Sequence, residues 1–302
     1  MRHIITFSGG KDSLATICWA MKNLPFDSWE IVFCDTGWES AITYQHIKDI
    51  EAWTGKKIIV LRSKKYKDFV DLCIKKGRVP STKAKFCTEE LKVKPMIDYV
   101  LSLNCDITVH QGVRWEESES RRAMKKNDEF FRFYFEPYGK DKKGKDKYHT
   151  YNKKAVVAYC DKYSVDVSRD IIEWTANEVF DYIFASGLKA NPLYYMGFSR
   201  VGCFPCIMCR KDEIRLIVEK FSERIDEIRE LERELGRTFF PPKFIPEAYC
   251  ANVLMNKKGK KIWFPTIDEV VRYVKGNPDQ MSLHENTLGG GKCISVYNIC
   301  EK

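Results

Sequence analysis

Residues 4–13 read Ile4-Ile5-Thr6-Phe7-Ser8-Gly9-Gly10-Lys11-Asp12-Ser13, and an amphipathic stretch from Leu14 to Asn23 follows. A short apolar run, a glycine pair and a helical pattern, in that order, predict a strand, a tight turn and a helix N-terminus. Such a turn gathers backbone N–H groups and the positive end of a helix dipole at one point, which suits a phosphate chain. Gly9 and Gly10 let backbone approach an anion closely. Lys11 adds a formal charge, and Ser8 and Ser13 add hydroxyl donors. The Gly-x-x-x-x-Gly-Lys spacing of a Walker A loop is missing. The plainer reading is a polar strand-to-helix turn capped by Asp12 or Ser13.

Beyond this helix, Glu30–Cys34 reads as a second strand ending at Asp35-Thr36-Gly37, followed by a helix over Ala41–Thr54 and a third strand over Lys57–Leu61. Helices are expected over Tyr66–Lys76 and Thr88–Leu103, with a strand over Asp106–His110 between the latter and the next segment. Strands alternating with helices predict an α/β fold, a parallel sheet with helices on both faces. Function in such sheets collects at the carboxyl ends of the strands. From Glu173 the pattern turns helical: Trp174–Ser186, a long, mostly exposed charged helix over Glu213–Leu235, and a short one over Ile267–Lys275. The expected organisation is a nucleotide-binding domain over residues 1–170 and a smaller α-helical C-terminal region over 171–302 that carries a cysteine cluster.

The 302 residues are 44% hydrophobic and 13% aromatic, enough for a sizeable core. No apolar run approaches the ~20 residues needed to span a bilayer, and the N-terminus shows no leader pattern, so a cytoplasmic protein is expected. The formal charge of +9 is concentrated, with Lys140, Lys142, Lys143, Lys145 and Lys147 in one stretch and Lys153 and Lys154 just beyond. Such a run reads first as a solvated loop and second as a nucleic-acid contact. Cys18, Cys34 and Cys73 sit in apolar runs and read as small buried hydrophobes. Gly202-Cys203-Phe204-Pro205-Cys206-Ile207-Met208-Cys209 instead clusters three thiols at Cys-x-x-Cys spacing, which suits iron–sulfur or zinc ligation.

Ser8–Ser13 resembles the pyrophosphate loop (PP-loop) of the adenine-nucleotide α-hydrolase superfamily. Asp35-Thr36-Gly37 resembles that superfamily's second-strand element. Cys87-Thr88-Glu89-Glu90-Leu91-Lys92-Val93-Lys94-Pro95 resembles the Cys-x-x-x-x-Lys-Val-x-Pro segment of adenylyl-sulfate reductases. Gly112-Val113-Arg114-Trp115-Glu116-Glu117-Ser118-Glu119-Ser120-Arg121 resembles the family's Gly-x-Arg-x-x-Glu-Ser-x-x-Arg stretch, where arginine forks suit phosphate or sulfate oxygens. These motifs, in this order over roughly residues 1–210, identify the chain as similar to the phosphoadenosine phosphosulfate (PAPS) reductase-like family.

The resemblance implies an adenine nucleotide such as ATP, with Mg²⁺, held by Ser8, Gly9, Gly10, Lys11, Asp12, Ser13, Asp35, Thr36, Gly37, Lys92, Gly112, Arg114 and Arg121. Lys11, Asp12 and Arg114 would be catalytic. It also implies a 4Fe-4S cluster, with zinc the alternative, on Cys87, Cys203, Cys206 and Cys209, although Thr88 stands where the iron–sulfur subgroup has a second cysteine. Cys293 and Cys300 are rivals for the fourth ligand. Neither has the Glu-Cys-Gly-x-His-like surroundings of the reductase nucleophile. The expected activity is therefore ATP-dependent adenylation with pyrophosphate release, coupled to sulfur transfer onto a nucleic acid or small molecule. Reduction of adenylyl sulfate or its 3′-phosphate is the second reading, and a non-catalytic nucleotide-binding protein the third. A sulfur-donor protein and a second copy of the chain are the expected partners.

Overall fold

The computed structural model describes residues 1–255 and 259–276. Strand β1 (Arg2–Phe7) passes through Ser8–Gly10 into helix α1 (Lys11–Asn23), and β2 (Trp29–Cys34), α2 (Ala41–Thr54), β3 (Ile58–Leu61) and α3 (Phe69–Lys76) follow. Helical residues resume at α4 (Phe86–Thr88) and continue into α5 (Lys94–Leu103), then β4 (Ile107–Gln111). The segment Glu119–Ser168 contributes α6 (Glu119–Arg122), β5 (Asn127–Glu129), α7 (Arg132–Phe135), the hairpin β6 (Gly139–Lys140) and β7 (Asp146–Lys147), α8 (Lys153–Cys160) and β8 (Val165–Ser168). Helices α9 (Ala176–Ala185), α10 (Lys211–Lys220) and α11 (Ser222–Leu235), a hairpin of β9 (Asn252–Met255) and β10 (Lys261–Phe264), and α12 (Ile267–Gly276) complete the described chain.

The six-stranded sheet has the order β3-β2-β1-β4-β8-β5. All pairings are parallel except β5 with β8. Alternation along β1 explains the layers. Ile5 and Phe7 pack with Leu14 and Ile17 of α1 and Val179 and Ile183 of α9. Ile4 faces the other way, onto Ile97 and Val100 of α5 and Val156 and Tyr159 of α8. The sheet is thus covered by helices on both sides, as the run of strands and helices predicts. Because β1 pairs with β2 on one side and β4 on the other, the chain reverses direction across the sheet at β1, and a crevice opens at the carboxyl ends of β1 and β4.

Two expectations need correcting. The span Glu213–Leu235 is not one helix: it breaks at Phe221, whose backbone leaves the helical region (φ −143°, ψ 53°). The Phe221 ring packs against Phe198 and Phe204, and burying it outweighs continuing the helix. Nor is the span mostly exposed, since Ile214, Ile217, Ile225, Ile228 and Leu231 join a third core with Trp38, Phe69, Phe204, Phe239 and Val270. β5 went unseen because Asn-Asp-Glu carries no apolar period. β8 is likewise absent from the expected strands, although Val165 and Val167 alternate with polar residues there.

Candidate nucleotide site and cysteine loop

At the β1–α1 turn Gly9 adopts a left-handed backbone (φ +79°), and a Cβ there would lie 2.5 Å from the Thr43 methyl group. Only glycine satisfies both demands. No side chain caps α1 at Gly10, so the first-turn N–H groups of Asp12 and Ser13 carry no N-cap bond and have the dipole behind them. The turn is held from below. Ser13 Oγ accepts from Ser8 N–H (3.1 Å) and donates to the Gly10 carbonyl (3.0 Å). Lys11 N–H donates to the Tyr194 hydroxyl at 3.0 Å, and buried Asn191 donates to the Gly9 carbonyl at 3.2 Å. Asn191 and Tyr194 belong to the stretch Asn191-Pro192-Leu193-Tyr194 that resembles the family's, but the sequence marks Asn191 only as a turn, and neither they nor Thr43 are expected as site residues.

Gly112 sits at the end of β4, where a Cβ would fall 2.5 Å from the Ser13 backbone. Its lack of a side chain lets β4 and the first turn of α1 touch, a packing reason for a position the motif associates with nucleotide binding. Arg114 follows, buried. Its Nε donates to Asp12 Oδ1, and its Nη1 donates to Glu116 (2.7 Å) and the Trp174 carbonyl (3.1 Å). Lys11 Nζ takes the other Asp12 oxygen at 2.7 Å. Burial works against the Arg114 charge, but Asp12 and Glu116 outweigh it and hold its pKa up. Burial lowers Lys11, with Asp12 opposing and Arg114 and Arg121 adding repulsion. Burial also lowers Arg121, against the pull of Asp12, with Arg200 and Arg114 repelling it further. Lys11, Arg114, Arg121 and Arg200 therefore share one neighbourhood, in which Asp12 pairs with Lys11 and Arg114, Glu116 with Arg114 and Glu117 with Arg121; four cations against three carboxylates leave a small positive excess that a polyanion would relieve.

Asp35 stands at the end of β2 with its carboxylate already filled. Oδ1 accepts from Gly37 N–H (2.9 Å) and Tyr44 (2.7 Å), and Oδ2 accepts two bonds from Arg62 (2.9 and 2.6 Å). Burial would raise its pKa, yet these donors bring it below the usual carboxylate value. Thr36 donates to buried Glu39 at 2.7 Å. Gly37 has φ +65°, and a Cβ on it would lie 2.5 Å from Asp68.

The cysteine loop lies against this same turn. Cys203 bridges to Glu39, Phe204 N–H donates to the Trp38 carbonyl (2.7 Å), and Trp38 Nε1 donates to the Pro205 carbonyl (3.0 Å). Cys203 Sγ is 3.9 Å from Thr36 Oγ1. Cys87 and Lys92 arrive from another direction, on the helical run Phe86–Leu103. A wide turn in that run has Lys94 N–H bonding the Glu89 carbonyl five residues back. Pro95, which has no N–H and whose ring crowds the carbonyl four residues earlier, accounts for that widening. Cys206 interacts electrostatically with Cys87, Cys203 and Cys209. Lys92 is raised chiefly by Cys203, against burial, with Glu39, Cys34 and Cys87 adding.

Burial pushes the Cys87, Cys203 and Cys209 thiols up, so a bound cation would be needed to hold them as thiolates. Their soft donors suit a metal, but among the described residues no group of three or more His, Cys, Asp and Glu side chains is disposed to hold one. The ten described cysteines are free thiols. Cys18 and Cys73 are buried as expected, while Cys34 is only partly so. Cys293 and Cys300 lie outside the described residues. A cleft of about 670 Å³ lies elsewhere, lined by His3, His110 and Asp170 and by none of the loop residues.

A mostly parallel sheet with a glycine turn and clustered cations at its reversal point defines an α/β protein of the adenine-nucleotide α-hydrolase type. Residues 2–209 match the phosphoadenosine phosphosulfate reductase domain, and the chain belongs to that family. An uncharacterized 37.8 kDa protein of Escherichia phage 186 is 30% identical, across 99% of this chain and 96% of its own length. The uncharacterized protein MJ0066 of Methanocaldococcus jannaschii is 28% identical over 73% of this chain, which spans 39% of that relative. Among solved structures, the phosphoadenylyl-sulfate reductase of Candida auris in its phosphate complex covers 68% of this chain and 82% of its own (TM-score 0.45, 16% identity). The FMN adenylyltransferase of Candida glabrata with FAD and pyrophosphate covers 67% and 55% (TM-score 0.41, 10% identity). No described helix is long and apolar enough to cross a membrane.

Proposed function

We propose that the chain binds ATP at Ser8–Ser13 and cleaves it between the α- and β-phosphates. An acceptor oxygen attacks the α-phosphorus, pyrophosphate leaves, and a sulfur nucleophile then displaces AMP from the adenylated acceptor. The observation that supports this most is the convergence of Lys11, Arg114, Arg121 and Arg200 beside the uncapped start of α1. Fixed N–H groups and cations of this kind stabilise charge that grows on a leaving pyrophosphate without reorganising at the moment of reaction. Asp12 positions Lys11 and Arg114, and Tyr194 and Asn191 hold the turn. Asp12 and Asp35 are both filled by protein donors, so Mg²⁺ would be carried chiefly by the nucleotide's phosphates, and it would offset charge on the departing group.

The thiols of Cys87, Cys203, Cys206 and Cys209 are our candidates for a 4Fe-4S cluster, or for one zinc, and such a site would fix the cysteine loop beside the nucleotide. A second reading, reduction of adenylyl sulfate or its 3′-phosphate, draws on Cys203 standing against Thr36 and Glu39. Incubation of α-labelled and γ-labelled ATP with a nucleic-acid acceptor and sulfide tests the first: labelled AMP and labelled pyrophosphate are expected from the wild type and neither from Lys11→Ala. Pyrophosphate release retained in Lys11→Ala, or ADP as the product, overturns it. Sulfite release from adenylyl sulfate with a thiol reductant would establish the second.

A further inference from the structure

Residues 132–154 carry eight basic and three acidic side chains, a net excess of five against +9 for the whole chain. The tip of the β6–β7 hairpin that concentrates them is held by hydrogen bonds to Asp141. Asp141 Oδ1 accepts from Lys143 N–H (2.7 Å) and Lys145 N–H (2.9 Å), and Gly144 turns the chain with φ +79°. Lys142, Lys143, Lys145 and Lys147 are exposed, and none makes an ion pair among the described residues. Only Lys140 reaches a carboxylate, Asp146, at 4.0 Å.

Large aromatic side chains stand in solvent around the same hairpin: Phe133 is 45% exposed, Phe135 52%, Tyr138 54% and Tyr148 38%. The Phe133 and Tyr138 rings meet edge to face at 6.0 Å. A merely solvated loop accounts for the lysines but not for exposed phenylalanines, and an apolar docking patch accounts for the phenylalanines but not for the lysines. Basic groups that follow a phosphate backbone, with aromatic faces for unstacked bases, suit a single-stranded nucleic acid. An anionic membrane fits less well. The lysines occupy the tip and the phenylalanines lie on α7 at the base, the reverse of an inserting hairpin.

The base of the hairpin is also tied to the cysteine site. His149 N–H donates to the Phe133 carbonyl (2.8 Å), and the His149 ring reaches Glu89 at 3.4 Å, two residues from Cys87. We infer that β6–β7 with its flanking aromatics is the platform on which a single-stranded nucleic acid lies as the acceptor of the proposed activity. This deepens the adenylation reading and rests on it for the acceptor's role, but binding can be measured by itself.

The test is fluorescence anisotropy of labelled single-stranded DNA and RNA of about 16 nucleotides, without ATP, across a salt series. With about four phosphates neutralised, log K should fall with log salt at a slope near −3. The triple charge reversal Lys142→Glu, Lys143→Glu, Lys145→Glu should weaken binding about 100-fold and flatten the slope. Phe133→Ala with Tyr138→Ala should weaken it about tenfold at unchanged slope. Wild-type binding without salt dependence, unaltered binding by the charge-reversed protein, or equal binding to polyglutamate or phosphatidylserine vesicles would overturn the platform. Binding of a non-hydrolysable ATP analogue by wild type, and its loss in Lys11→Ala, is a separate readout, so failure there strikes the adenylation reading and failure of oligonucleotide binding strikes this one.

Discussion

At the phosphate loop, residues contiguous in sequence meet a glycine-demanding backbone, and the buried charges of Lys11, Asp12 and Arg114 satisfy one another. At the cysteine loop beside it, Cys87 and Lys92 come from one helical run and Cys203–Cys209 from a segment more than a hundred residues later. There the thiols are neighbours around Cys206 without forming a closed ligand set among the described residues. The first region is built by backbone geometry before any ligand arrives. The second brings its donors together by packing, and a bound group would have to complete it. Rigid turns and assembled donor sets should therefore respond differently to substitution.

The largest effect should come from the buried ion pair. Arg114→Ala leaves Asp12 with only Lys11 and is expected to cost about 3–5 kcal/mol in urea unfolding. A loss below about 1 kcal/mol would mean the phosphate loop is not held as described. Gly112→Ala should follow, at about 3 kcal/mol, because its Cβ meets backbone rather than a mobile side chain. Unchanged stability there would uncouple β4 from α1.

Acid should then weaken the phosphate-loop side through His46, on the helix that carries Thr43. Burial lowers His46 to about 4 from 6.5, and its Nε2 has no hydrogen-bond partner. The folded protein thus excludes the charged ring. His46 costs nothing above pH 6.5, and stability falls as pH drops from there toward 4. The loss should be about 1.4 kcal/mol by pH 5.5. His46→Leu should remove that component of the pH slope, and an unchanged slope would show that the ring is not buried neutral.

The smallest stability effect belongs to the cysteine loop. Cys206→Ser in metal-free protein should change unfolding by less than about 0.5 kcal/mol. In anaerobically purified protein the same substitution should remove the iron and sulfide, or the zinc, found in the wild type, whereas Cys18→Ser should leave it. Metal retained by Cys206→Ser would take Cys206 out of the ligand set and erase the contrast between the two loops.

Much of this molecule is legible in one dimension. Ile4–Phe7, the Gly9-Gly10 turn and Ala41–Thr54 declare themselves through period and turn chemistry, which act over a few residues. The break at Phe221 was hidden because a charged helical pattern runs through it, and only the waiting Phe198 and Phe204 rings end the helix there. Asp35 shows the same limit from the other side. Its motif marks a carboxylate at a strand end, but no local signal reveals that Arg62 and Tyr44 will fill it.

By itself, the sequence determined the parallel α/β core, the turn that needs glycine, and the family whose motifs lie in order along residues 2–209. Those features depend on backbone propensity and short spacings, which survive translation into a string. Tertiary structure alone decided that Arg200 stands near Arg121, that Tyr194 and Asn191 brace the turn, and that Cys87 comes within electrostatic reach of Cys206. These contacts join side chains tens to nearly two hundred residues apart. They exist only once the sheet order and helix packing have brought those side chains together.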